Sequence, residues 1–172
     1  MDVKFSPAYN LLSIGQITGE IKLYAYDESK MDNILTFNHH KESVRTIDYN
    51  PSGNILYAGS KDKSLSVISN GRVEGVLKEA HPEAISKVIH IENDHVVATG
   101  DDDGLIRIWD LRMAQAGDTK KACALELKEH EGTISDLSYV ADKQMLLSTS
   151  NDGMLGVFDL RKADLYAMSD NF

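Results

Sequence analysis

The chain has 172 residues, 42% of them hydrophobic and 26% charged, with 12 glycines, which excludes collagen-like, disordered and disulfide-stapled classes. Its 18 Lys and Arg against 27 Asp and Glu leave a formal charge of −9, so it has no general attraction for phosphate backbones or anionic lipid. Direct nucleic-acid binding and membrane association are therefore not expected.

The N-terminus, Met1 to Pro7, carries neither a basic head nor an apolar stretch and is not a secretory signal. No apolar run approaches the ~20 residues that span a bilayer. The single cysteine, Cys123, cannot close an intrachain disulfide, which favours a reducing compartment. Its neighbours Ala122, Ala124 and Leu125 suit a packing thiol rather than a nucleophile. We expect a soluble intracellular protein.

Along the chain, short bursts of alternating apolar residues follow tight turns. Ile21-Lys22-Leu23-Tyr24 follows Thr18-Gly19, and Leu65-Ser66-Val67-Ile68 follows Asp62-Lys63. Ile106-Arg107-Ile108-Trp109 follows Asp103-Gly104, and Leu155-Gly156-Val157-Phe158 follows Asp152-Gly153. No segment sustains a capped 3.6-residue period, so helical and βαβ folds are not expected. His40, His81 and His130 each lie 22 residues before an aspartate, respectively Asp62, Asp103 and Asp152. The aspartates are 41 and 49 residues apart, and the longer gap falls on a polar loop, Met113 to Ala122.

The chain thus divides into four units of about 43 residues, near a known repeat period. The second unit predicts strands at Val44–Tyr49, Asn54–Gly59, Ser64–Ser69 and Val73–Leu77, with the turn Asn50-Pro51-Ser52-Gly53 between the first two. The third predicts Ile85–Ile91, His95–Gly100, Leu105–Asp110 and Cys123–Leu127. The first begins with a strand near Val3–Ser6, and the last ends with one near Asp164–Met168. The fold class expected is all-β: a β-propeller of four four-stranded antiparallel blades, at 1–37, 38–77, 78–127 and 128–172.

The stretch Ala98-Thr99-Gly100-Asp101-Asp102-Asp103-Gly104-Leu105-Ile106-Arg107-Ile108-Trp109-Asp110, with His81 upstream, resembles a WD repeat. The other units are degenerate: Phe158-Asp159, Ile68-Ser69 and Tyr24-Ala25 replace Trp-Asp, and the glycine usual before the histidine is His39, Ala80 or Glu129. His39-His40, Ser60 to Lys63, Lys78 to His81, Ala98 to Asp102 and Asp152 to Gly156 further resemble the WD repeat-containing protein 55 family. That resemblance implies a nucleolar scaffold in ribosomal RNA synthesis and ribosome biogenesis, with ribosome-assembly proteins as partners. It also implies a propeller of more than four blades. The chain is then a partial propeller with exposed apolar blade faces open to self-association.

A histidine–aspartate pair that recurs three times is expected to be structural, since a reaction centre is needed once. The aspartate accepts from the imidazole N–H and fixes its tautomer. By the resemblance, the network continues through a hydroxyl to tryptophan: His81, Thr99, Asp103 and Trp109 in the third unit. In the fourth it is His130, Ser148 and Asp152, with Phe158 offering no donor; in the second it includes His40 and Asp62.

Asp101-Asp102-Asp103-Gly104 resembles part of a calcium loop, but Thr99 and Asp110 occupy the end positions that demand Asp and Glu. A turn is expected instead. His39 and His40 are expected on opposite faces of an extended segment, leaving a lone histidine that makes a poor metal site. His90 and His95, near Glu92 and Asp94, read as a solvated hairpin end. Phosphate-loop, dinucleotide, nucleophile-elbow and zinc-protease motifs do not occur, and no enzyme, cofactor or metal is expected. Trp109-Asp110-Leu111-Arg112 and Phe158-Asp159-Leu160-Arg161 resemble the WDxR element that docks WD-repeat proteins on a cullin-RING ligase adaptor. Asp110, Arg112, Asp159 and Arg161, with Trp109, are therefore candidate partner-binding residues. The alternative is that each arginine pairs with its neighbouring aspartate.

Overall fold

The computed structural model describes residues 1–114 and 119–169. Sixteen strands form four sheets, each a meander of four consecutive strands. Sheet 1 holds β1 (Asp2–Phe5), β2 (Leu11–Gly15), β3 (Ile21–Tyr26) and β4 (Met31–Phe37). Sheet 2 holds β5 (Val44–Tyr49), β6 (Ile55–Ser60), β7 (Leu65–Ser69) and β8 (Arg72–Leu77). Sheet 3 holds β9 (Ile85–Glu92), β10 (Val96–Asp101), β11 (Ile106–Asp110) and β12 (Cys123–Leu127). Sheet 4 holds β13 (Ile134–Val140), β14 (Met145–Ser150), β15 (Leu155–Asp159) and β16 (Asp164–Met168). The all-β class and the four antiparallel sheets agree with the sequence expectation.

The segment 111–122 departs from it. Where a polar loop was expected, Leu111–Ala114 forms α1 and Thr119–Ala122 forms α2. Each is one turn, too short for any period to show in the sequence; part of this loop lies outside the described residues.

The repeat is visible in the irregularities of the sheets. The pairing of the third strand with the fourth slips at Leu23/Tyr24, Val67/Ile68, Ile108/Trp109 and Val157/Phe158, one equivalent place in every sheet. A bulge adds local twist, so the same bulge in each sheet keeps their outer strands alike. The turn before each third strand needs a positive φ, supplied by Gly19, Gly104 and Gly153, and in sheet 2 by Lys63 at 68°.

Two compact units, Met1–Ile85 and Ser86–Phe172, each stack one sheet on another. We call the face carrying the Trp109-equivalent residue the front and the opposite face the rear. In the first unit, Ile21, Leu23 and Phe37 on the rear of sheet 1 pack on Val44, Leu56 and Ile68 on the front of sheet 2. In the second, Ala98, Ile106 and Ile108 on the rear of sheet 3 pack on Leu137, Leu146 and Phe158 on the front of sheet 4. Close approach requires glycine: a Cβ on Gly15 would lie 2.6 Å from Val44 Cγ1, and one on Gly100 2.6 Å from Ile134 Cβ. Polar groups also cross from sheet 1 to sheet 2. The Tyr49 and Ser13 hydroxyls hydrogen-bond, Lys4 Nζ lies 2.9 Å from Asp48 Oδ1, and the Ile47 N–H donates to Asp2 Oδ2 at 2.9 Å.

Candidate functional site: repeat networks and strand-end arginines

The buried polar residues cluster where the turn before each third strand meets the loop that enters the sheet. In sheet 4, His130 Nδ1 lies 3.0 Å from Asp152 Oδ2 and Nε2 lies 2.6 Å from Ser148 Oγ. An ionised carboxylate only accepts, so the proton sits on Nδ1, and Nε2 accepts from the serine hydroxyl. Asp152 also receives the backbone N–H groups of Glu131 and Met154. Burial would raise its pKa; those two bonds and His130 outweigh burial and hold it below the ordinary carboxylate value. Phe158 fills the tryptophan place, fully buried and asking for no acceptor.

Sheet 2 reaches the same end by another route. Asp62 receives the Lys41 and Ser64 N–H groups and the Ser64 hydroxyl, and Ser64 Oγ in turn lies 2.8 Å from His40 Nδ1. His40 Nε2 lies 2.9 Å from Ser66 Oγ. Ala58 stands at the place of Ser148, and its cross-strand partner Ser66 supplies the hydroxyl. Burial lowers the His40 pKa, and Asp62 opposes that shift without reversing it. Ser64 and Ser66 were missed from the sequence because the hydroxyl had moved across the ladder; a polar residue opposite an alanine was the signal.

In sheet 3, Trp109 Nε1 donates to Thr99 Oγ1 at 2.7 Å, both residues being buried. His81 is buried, and its backbone N–H donates to Lys63 O at 3.4 Å. Asp103 departs from the pattern: it is exposed, and buried Asp101 takes the turn N–H groups of Asp103 and Leu105. Sequence gives the reason. The residue after the histidine donates its N–H to the repeat aspartate in sheets 2 and 4, but here it is Pro82, which has none.

His39 also departs from expectation. Instead of pointing away from His40, its ring packs against it with centroids 4.3 Å apart and the planes tilted by 43°. Both its nitrogens are buried without a hydrogen-bond partner. Burial, followed by the neighbouring His40, lowers its pKa to about 4 against the opposing pull of Asp62. Among the described residues no group of three or more His, Cys, Asp or Glu could hold a metal. The Asp101 turn is likewise built on backbone donors.

At the opposite strand ends, Arg112 and Arg161 adopt one geometry. Arg112 Nε and Nη2 reach Asp110 at 2.9 and 2.5 Å, and Arg161 reaches Asp159 at 2.9 and 2.7 Å. Each aspartate also accepts the arginine's own backbone N–H at 3.1 Å. Arg161 draws the Asp159 pKa down to about 2. Both guanidinium groups remain more than half exposed while forked on their own strand's carboxylate.

A cleft of about 270 Å³ opens in the first unit over Leu11, Leu23, Leu56 and Ile68, rimmed by Asn54 and Asn70. No histidine, cysteine or carboxylate lines it. Cys123 is half-buried, and burial raises its thiol pKa, the opposite of an activated nucleophile. No helix of the described residues is long and apolar enough to cross a membrane.

Four bulged antiparallel meanders, with a histidine–carboxylate–hydroxyl set at the turns of sheets 2 and 4, define a repeat protein of the WD class. The WD domain, G-beta repeat family matches residues 31–69, 72–110 and 121–159, more than half of the chain, and the chain belongs to that family. Each matched span comprises the outermost strand of one sheet and the first three strands of the next.

Among curated proteins, the chain is similar to WD repeat-containing protein 55 of Danio rerio. The two are 31% identical over 140 residues, covering 79% of this chain and 34% of the relative. The homolog from Drosophila melanogaster is 32% identical over 139 residues, covering 80% and 26%. The chain therefore spans about a third or less of the length of these relatives. Among solved structures it is similar to Chaetomium thermophilum Sqt1, at 20% identity and a TM-score of 0.82, covering 96% of this chain and 45% of that one. Sqt1 bound to the N-terminus of the ribosomal protein L10 matches at 19% identity and a TM-score of 0.82, covering 96% and 48%.

Proposed function

We propose that the chain is a non-enzymatic protein-binding scaffold of ribosome assembly, a nucleolar factor whose partners are basic ribosome-assembly proteins. The observation that carries the scaffold reading is that its buried histidines do the same work more than once. His130 is tied by its two ring nitrogens to a turn carboxylate and a hydroxyl, and His40 to two hydroxyls, one of which donates to the turn carboxylate Asp62, as structural fasteners would be. The likeness to WD repeat-containing protein 55 supports the ribosomal setting, as does the fold shared with Sqt1, which holds a ribosomal protein terminus. The formal charge of −9 suits basic partners. Affinity purification of the tagged chain, read by mass spectrometry, should recover ribosomal or ribosome-assembly proteins, and a tagged chain should stain nucleoli. Recovery of neither class, with staining confined to the cytoplasm, rejects the proposal.

A second reading rests on the two matched aspartate–arginine forks. Arg112 and Arg161 present exposed guanidinium edges on neighbouring sheets of the second unit, where a ubiquitin-ligase adaptor could engage them. Arg112→Ala with Arg161→Ala should abolish co-purification of the adaptor while leaving circular dichroism unchanged. Absence of the adaptor from wild-type purifications ends this reading.

A further inference from the structure

The cleft between sheets 1 and 2 has a filled counterpart in the second unit. The strand registers put Leu11, Leu23 and Leu35 of sheet 1 in the places of Val96, Ile108 and Leu125 of sheet 3. They put Tyr49, Leu56 and Ile68 of sheet 2 in the places of Tyr139, Leu146 and Phe158 of sheet 4. In the second unit all six belong to or pack against one hydrophobic cluster, and Leu160 packs there with them. In the first unit the corresponding six line an open cleft of about 270 Å³. Both of its walls are faces already stacked on each other, so the cleft does not depend on what covers the outer faces of the unit.

Two residues of sheet 2 account for the difference. Ile68 stands where Phe158 puts a ring, and Asn70, the first residue beyond the strand, stands where sheet 4 has Leu160. Sheet 3 has the buried Leu111 at that place. The turn explains the asparagine. Ser69 pairs with Arg72, so β7 and β8 are joined by Asn70 and Gly71 alone, with φ of 51° and 70°. A two-residue turn with both φ positive favours Asn-Gly and disfavours leucine. In sheet 4, Asp159 pairs with Asp164; the longer loop takes its positive φ at Ala163, and Leu160 folds onto the cluster.

The walls also define what fits between them. The residues lining the cleft carry no charge, in a chain whose residues are 26% charged. An ammonium or carboxylate brought there would lose water and gain no counter-charge, so a neutral side chain is the match. The volume falls below the ~300–1,000 Å³ of small-molecule sites and suits a side chain. At the mouth, Tyr9 and Ile34 are 54% and 48% exposed, apolar surface of the kind that marks a contact. The exposed Asn70 amide beside them offers both a donor and an acceptor.

We propose that this cleft is a docking site for a leucine side chain presented by a partner protein, which takes the place that Leu160 holds in the second unit. The Asn70 amide bonds the partner's backbone next to that leucine. The site rests on the scaffold reading only in that its occupant is a protein: purification tests which proteins bind, and a peptide titration tests this cleft.

The test is methyl NMR on the 172-residue chain, titrated with acetyl-Gly-Gly-Leu-Gly-Gly-amide and with the same peptide carrying glycine or lysine in place of leucine. The Leu23 and Leu56 methyls should shift saturably with the leucine peptide at millimolar concentration and not with the other two. Ile68→Phe, which copies sheet 4, fills the cleft from within, and Ile34→Glu charges its mouth. Each should weaken binding by about tenfold or more. Ile34 is exposed, so its variant keeps the test open where the buried substitution fails to fold. Absence of a saturable shift overturns the proposal, as does an equal response to the control peptides or an affinity unchanged by Ile34→Glu. Methyl shifts that follow protein concentration without peptide overturn it too, since they place a second copy in the cleft.

Discussion

Trp109 and Phe158 occupy one repeat position and make different demands on their surroundings. The indole N–H is buried and donates to Thr99 Oγ1, whereas the phenyl ring needs only volume. A buried donor without an acceptor costs about 1–3 kcal/mol. Thr99→Val should therefore destabilise the chain by about that amount in urea denaturation. In a Trp109→Phe background the same change should cost about 1 kcal/mol less, since no indole remains to satisfy. Equal costs in the two backgrounds would show that Thr99 matters through something other than the indole. His39 gives a second prediction at this scale. Its folded pKa of about 4 lies below the ordinary 6.5, so the folded chain binds fewer protons than the unfolded chain between those values. Stability is complete above pH 6.5 and falls as pH drops toward 4. His39→Phe, which keeps a ring against His40, should flatten that part of the stability–pH curve.

At the scale of strands and turns, the same glycine substitution should have opposite consequences at two sites. Gly104 has φ at 82°, and an added Cβ would lie 2.4 Å from the His130 carbonyl oxygen. Gly104→Ala should cost at least ~2 kcal/mol through strain and displaced backbone. Gly75 in β8 has nothing within 4 Å of the added carbon, and Gly75→Ala should be neutral or stabilising by up to ~1 kcal/mol. Chemical denaturation of both variants checks the pair. The strands were legible because alternation and turn residues coincide: Val44–Tyr49 and Cys123–Leu127 fall where the sequence puts them. The turns of α1 and α2 were not, because four residues cannot display a helical period. The candidate sites were legible as a spacing and illegible as bonds. A 22-residue interval finds Asp62, Asp103 and Asp152 alike, but it does not carry the effect of Pro82 on Asp103. Nor does it show that Ser66 replaces the hydroxyl absent at Ala58.

For the molecule as a whole, the excess of 27 acidic over 18 basic residues sets the expected character of its associations. Capture of basic partners should weaken steadily as salt is raised from about 0.05 to 0.5 M, where the screening length falls from well over 10 Å to a few ångströms. Capture that is indifferent to salt would place the binding energy in apolar contacts instead. The offset between repeat and sheet has a different consequence, one of severance. The boundary between the first two matched spans falls at Asn70-Gly71, inside the hairpin that joins β7 to β8. A nick there divides the chain between two repeats but leaves the fragments clasped by the ladder from Leu65–Leu77 to Ser69–Arg72. A cut at Lys78-Glu79, between sheets, severs no ladder at all. Fragments made at the first point should find each other through the backbone hydrogen bonds of that ladder, and those made at the second have no strand ladder to rejoin. The place where the sequence begins a new copy of itself is thus the place where the folded chain is hardest to part.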